Sequence, residues 1–99
     1  MLRHIVIWKL SDNLNENEKK ETSTKIKTIL EALKPQIKEI IEIKVNINEL
    51  ATSNTDIMLD SLFESEEALN AYRIHPEHMR AGEFIGSVTA NRAAFDYFE

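Results

Sequence analysis

Two segments, His4 to Leu10 and Asp56 to Phe63, carry apolar side chains at both parities of an extended strand, and this constrains the chain more than any other feature. Successive strand residues point to opposite faces. His4, Val6, Trp8 and Leu10 therefore share one face of the first strand, with Ile5 and Ile7 on the other. In the second segment Ile57, Leu59, Ser61 and Phe63 oppose Met58 and Leu62. Strands with no polar face belong in the middle of a sheet. Residues 40–48 differ: Ile41, Ile43, Val45 and Ile47 alternate strictly with Glu42, Lys44 and Asn46, which predicts a half-solvated edge strand. From Ala93 to Phe98, Ala93, Phe95 and Tyr97 alternate with Ala94, Asp96 and Phe98, a fourth strand.

Helices are signalled between these strands. Asn15 with Glu18 three residues later matches a capping box, and Ile26, Ile29, Leu30 and Leu33 recur at helical spacing until Pro35, which is expected to end the helix. Ser65 is a suitable N-cap with Glu66 and Glu67 in the first turn, and Leu69 and Tyr72 share a face. Pro76 interrupts this helix and starts another, since proline is tolerated at the first helical position; the new helix is expected to run to Ile85 or Gly86.

The order strand, helix, strand, strand, helix, strand predicts an α+β fold: a ferredoxin-like βαββαβ arrangement with a four-stranded antiparallel sheet whose first and third strands are central. Two helices cover one face of such a sheet, and no further element is left for the other. Exposing that apolar face costs roughly 25 cal/mol per Å², so a second copy is the expected cover, giving two sheets that form a dimeric α/β barrel around a small apolar pocket. Ninety-nine residues fit a single domain over residues 1–99.

Composition narrows the function. The chain has no cysteine, which excludes disulfides and thiol chemistry and suits a reducing, cytoplasmic setting. Its opening apolar run is too short for a signal sequence, and no stretch reaches a membrane-spanning length. A formal net charge of −5 offers no footprint for nucleic acid. No glycine-rich loop or serine-nucleophile motif occurs.

The chemistry-bearing candidates are the three histidines and Tyr72. His4 shares the parity of Val6 and Trp8, so it reads either as a satisfied core histidine or as a polar group in a ligand pocket lined by His4, Val6, Trp8, Ile57 and Leu59. His75 reads as a structural cap at the Pro76 break, and no ligand set around His75 and His78 completes a metal site. Tyr72 and His78 flank the same break; Tyr72 is either the apolar anchor of its helix or a directional donor, and His78 can take a proton near neutral pH.

Four stretches together, Arg3-His4-Ile5-Val6-Ile7-Trp8-Lys9-Leu10, Asp56 to Ser65, Glu67 to His78 with its Tyr72-Arg73-Ile74-His75-Pro76-Glu77-His78 core, and Ala94-Phe95-Asp96-Tyr97, resemble the stress-responsive A/B barrel (Dabb) family across nearly the whole chain. The resemblance implies the dimeric barrel and no cofactor. It also implies, by similarity to a plant polyketide cyclase of that family, a base at His78, a hydrogen-bonding partner at Tyr72 and a pocket histidine at His4. Ile57 stands where that cyclase has a further histidine, and it can neither donate nor accept a hydrogen bond. Two readings follow: a homodimeric module that binds a small apolar or carbonyl ligand in a stress-associated role, and a cofactor-independent cyclase or lyase using His78 and Tyr72.

Overall fold

A computed structural model describes residues 1–99. The chain forms β1 (Leu2–Leu10), α1 (Glu16–Glu31), β2 (Glu42–Ile47), β3 (Ile57–Phe63), α2 (Glu66–Ile74), α3 (Pro76–Val88) and β4 (Thr89–Phe98). The four strands make one antiparallel sheet in the order β2-β3-β1-β4, so the two strands that are apolar on both sides occupy its centre. This is the ferredoxin-like arrangement, with the second helical segment divided into α2 and α3 at His75.

Pairing register decides which parity meets the helices. Val6 lies opposite Leu59 and Ala94, His4 opposite Ser61 and Asp96, and Trp8 opposite Ile57 and Arg92. Leu2, Val6, Trp8 and Leu10 from β1 join Val45, Ile57, Leu59 and Phe63 in a buried core closed by Ile26 and Leu30 of α1, Leu69 and Tyr72 of α2, and Ala81 and Ile85 of α3. The opposite face carries Ile5, Ile7 and Met58, none fully buried, with Phe95 68% and Tyr97 43% exposed. Arg3 on that face ties the sheet together through Asp60 at 3.0 Å, Glu42 at 3.3 Å and Glu99 at 2.9 Å. No helix is long and apolar enough to cross a membrane.

Helix ends follow local chemistry. The capping box of α1 is complete, the Asn15 side chain accepting from the Glu18 N–H at 2.8 Å and the Glu18 side chain from the Asn15 N–H at 2.9 Å. The helix stops at Glu31, ahead of the expected end at Pro35. Proline disfavours helical backbone at the residue before it, and the chain continues in single turns, Gln36 and Ile37 both donating to the Leu33 carbonyl, which bury Leu33, Ile37 and Ile40. Glu31 anchors this end: its carboxylate accepts from Lys27 Nζ at 2.8 Å and from the Val45 N–H at 3.0 Å. Burial pushes that carboxyl up, but these two donors hold it below the usual carboxylate range. At the other end of the chain α3 runs through Gly86 to Val88, and β4 starts at Thr89, four residues before the alternation expected from Ala93, because residues 89–92 continue the pairing with β1.

Phe63 has no exposed surface and sits where β3 meets Tyr72 and His4. Replacing it, Phe63→Ala, is expected to cost about 3–5 kcal/mol in urea denaturation. A loss below about 1 kcal/mol would contradict this account of the core.

Candidate functional site

A cavity of about 280 Å³ lies between the helix-facing side of the sheet and α2–α3, with His4, Trp8, Leu59, Tyr72, His78 and Arg92 among its lining residues. Its lining comes from one chain, on the helix side of the sheet rather than between two sheets as the sequence suggested. The register explains the difference, since it turns His4, Val6 and Trp8 toward the helices and leaves only Ile5 and Ile7 for a barrel interior. Val6 lines the cavity as well, whereas Ile57 does not; Ile57 borders a second concavity near the β2–β3 connection, with Asn48 and Asp56.

Space exists here partly because α3 presents Gly82 and Gly86, one turn apart, to the cavity. Neither has a positive φ, and a Cβ at either would meet no atom within 4 Å. Glycine inside a helix costs about 0.5–1 kcal/mol relative to alanine. The fold has no steric need for these glycines, and their effect is to leave the cavity wide.

His4 is held from two strands. Its backbone carbonyl accepts from Ser61 Oγ at 2.9 Å, and its Nδ1 stands 2.5 Å from Asp96 Oδ1. Asp96 therefore favours the form with the proton on Nδ1, leaving Nε2 toward other partners. The ring packs edge-on to Tyr72 at 6.2 Å and to Phe63 at 6.3 Å.

Tyr72 and His78 meet across the break at His75. The helix C-cap and the next N-cap coincide there: the His75 N–H donates to the Tyr72 carbonyl, and His75 Nδ1 accepts from the Glu77 N–H at 3.1 Å. This extended residue brings the Tyr72 and His78 ring centroids to 4.3 Å. His78 Nδ1 lies 3.0 Å from the Arg73 carbonyl, which can only accept, so Nδ1 carries the proton, and in the neutral ring the Nε2 lone pair is left free. Burial pushes the His78 pKa below the ordinary imidazole value, and although the Arg73 carbonyl works the other way, the charges of His4, Arg73 and Arg92 add to the lowering. The Tyr72 hydroxyl is buried without any hydrogen-bond partner, and burial raises its pKa, so it remains a protonated donor with nothing to donate to. Leaving such a group unpaired costs about 1–3 kcal/mol, which a bound acceptor would recover.

Two contributors escape sequence reading. Asp96 reaches His4 across 92 positions of sequence, and only the β1–β4 register shows it. Arg92 enters through the early start of β4, a stretch without apolar alternation. No group of three or more His, Cys, Asp or Glu is placed to hold a metal ion.

The sequence matches the family described as Stress responsive A/B Barrel Domain, Dabb, over residues 2–99. No curated protein sequence matches it. Among solved structures, a dimeric protein of unknown function with a ferredoxin-like fold from Bacteroides fragilis is 33% identical, with a TM-score of 0.91 over 97% of this chain and 93% of that one. A dimeric ferredoxin-like protein of unknown function from Thermobifida fusca is 24% identical, with a TM-score of 0.79 over 97% of this chain and 88% of that one. A hydroxynitrile lyase from Passiflora edulis is 14% identical and has a TM-score of 0.75 over 97% of this chain and 90% of that one. These last two share the fold. With its ferredoxin-like sheet, a match from residue 2 to residue 99 and 33% identity to a dimeric structure of the same fold, the chain belongs to the stress-responsive A/B barrel family.

Proposed function

We propose that the cavity binds a small carbonyl compound and that His78 and Tyr72 enolise it without a cofactor. The observation that carries this reading is an imidazole bonded through Nδ1, whose burial favours the neutral form, beside an unpartnered, protonated phenol in one apolar cavity. His78 Nε2 takes a proton from the carbon next to the carbonyl. The C–H electron pair becomes the new C=C bond, the carbonyl π pair moves to oxygen, and the Tyr72 hydroxyl donates to that oxygen as its charge develops. His4, fixed by Asp96, lines the same space and offers Nε2 to a second polar atom of the ligand. The two helix glycines support the reading, since they leave room that the protein itself does not fill. A hydroxynitrile lyase of the same fold illustrates that this scaffold houses lyase chemistry.

In this reading the protein acts as a cytoplasmic homodimer. The uncovered sheet face, with Ile5, Ile7, Met58, Phe95 and Tyr97, is the natural seat of a second copy, and the 33% identical Bacteroides fragilis structure is dimeric. Each subunit then keeps its own cavity on the side away from its partner.

Enolisation is read from deuterium uptake next to the carbonyl of 2-hexanone in D₂O, followed by proton NMR. Wild type is expected to accelerate uptake, and His78→Gln to lose roughly 10²–10⁴-fold of that acceleration. Because the base must be neutral, the acid limb of the rate should fall below pH 6.5, the ordinary imidazole value. Uptake no faster than in buffer, or full activity in His78→Gln, would refute the enolisation. For assembly, light scattering at micromolar concentration should give a dimer, with Ile7→Lys shifting it to monomer; a monomeric wild type would contradict the covered face.

A further inference from the structure

Arg92 is the one charged side chain of the cavity for which the chemistry above has no use. It pairs opposite Trp8 in the β1–β4 ladder, on the helix side of the sheet, and lines the cavity with Tyr72 and His78. Arg3 is held by three carboxylates and Arg80 by Glu77, but Arg92 makes neither an ion pair nor a side-chain hydrogen bond. Asp96, two residues further along the same face as Ala94, is engaged by His4. None of the 14 residues lining the cavity is an aspartate or glutamate, although acids outnumber Lys plus Arg 17 to 12 in the chain. An acidic protein has thus kept carboxylates out of this space and placed an unanswered cation at its edge.

We propose that the ligand is an oxo acid, a carbonyl compound that also carries a carboxylate, and that Arg92 binds the carboxylate while His78 and Tyr72 act at the carbonyl. The substrate class rests on the enolisation reading of the same cavity. The planar guanidinium fork matches the two oxygens of a carboxylate, and a single such group in a mainly apolar lining suits one monoanionic end on an otherwise apolar ligand. Arg92 also makes the base responsive to its substrate. Its unpaired charge disfavours imidazolium at His78; once a carboxylate neutralises that charge, His78 becomes a stronger base, so the correct ligand raises the basicity of the group that deprotonates it.

The test compares 5-oxohexanoate with the neutral 5-oxohexanamide by calorimetric titration of the full chain. Wild type is expected to bind the carboxylate roughly tenfold more tightly than the amide, as suits a charged hydrogen-bonded pair. In Arg92→Gln that ratio should fall to about one, and in Arg92→Lys it should remain above one, circular dichroism confirming that both variants are folded. A ratio near one in wild type, no binding of 5-oxohexanoate at millimolar concentration, or an undiminished ratio in Arg92→Gln would overturn the assignment. Deuterium uptake by the two probes separates this from the enolisation. Catalysed uptake with a ratio near one leaves the enolisation standing and removes the oxo-acid class. An Arg92-dependent ratio without catalysed uptake supports the carboxylate site and removes the enolisation.

Discussion

The antiparallel clamping of β1 between β3 and β4 is the constraint on which everything else in this molecule rests. Its register assigns every β1 side chain to one of two environments: His4, Val6 and Trp8 go to the helices, Ile5 and Ile7 to the uncovered face. A slip by one residue would exchange the two sets. His4 would then leave both Asp96 and the cavity, and the isoleucines would be driven into the core. Two polar contacts act against such a slip, because Ser61 Oγ bonds the His4 carbonyl on one side while Asp96 bonds its ring on the other.

The site built on that frame gives up stability at several points. A buried phenol goes without a partner and two glycines occupy a helix that would prefer alanine, while Arg92, exposed at the cavity's edge, has no counter-ion within the chain. The phenol and the glycines depart from what packing and pairing favour. All three border the same 280 Å³ cavity, and they suit a ligand that fills space, accepts a hydrogen bond and carries negative charge. Elsewhere the chain is conventional, with a complete capping box on α1, an N-capping serine on α2 and a salt-bridged Glu31 that docks α1 onto β2.

Much of this was legible in the sequence, and the losses have physical causes. Strand parity identified β1 and β3 as central, and Asn15, Ser65 and Pro76 marked helix starts, because alternation and capping are local. Parity does not say which side faces the helices; that depends on long-range packing, so the cavity was expected inside a barrel when it lies within one chain. The reach of β4 back to Thr89 was hidden because Asn91 and Arg92 break the apolar alternation while still pairing with β1. Asp96 and Arg92 became visible as site residues only once that pairing placed them opposite His4 and Trp8. Tyr72 and His78 were legible through the helix break, since His75-Pro76 forces the turn that brings their rings together.

Central to this account is a neutral His78 whose proton sits on Nδ1, bonded to the Arg73 carbonyl, with Nε2 free of any partner in the chain. Nitrogen-15 NMR of the imidazole side chains near neutral pH reports both charge and tautomer. A neutral ring, protonated at Nδ1 and unprotonated at Nε2, is the expected result. An imidazolium, or a ring protonated at Nε2, would contradict it.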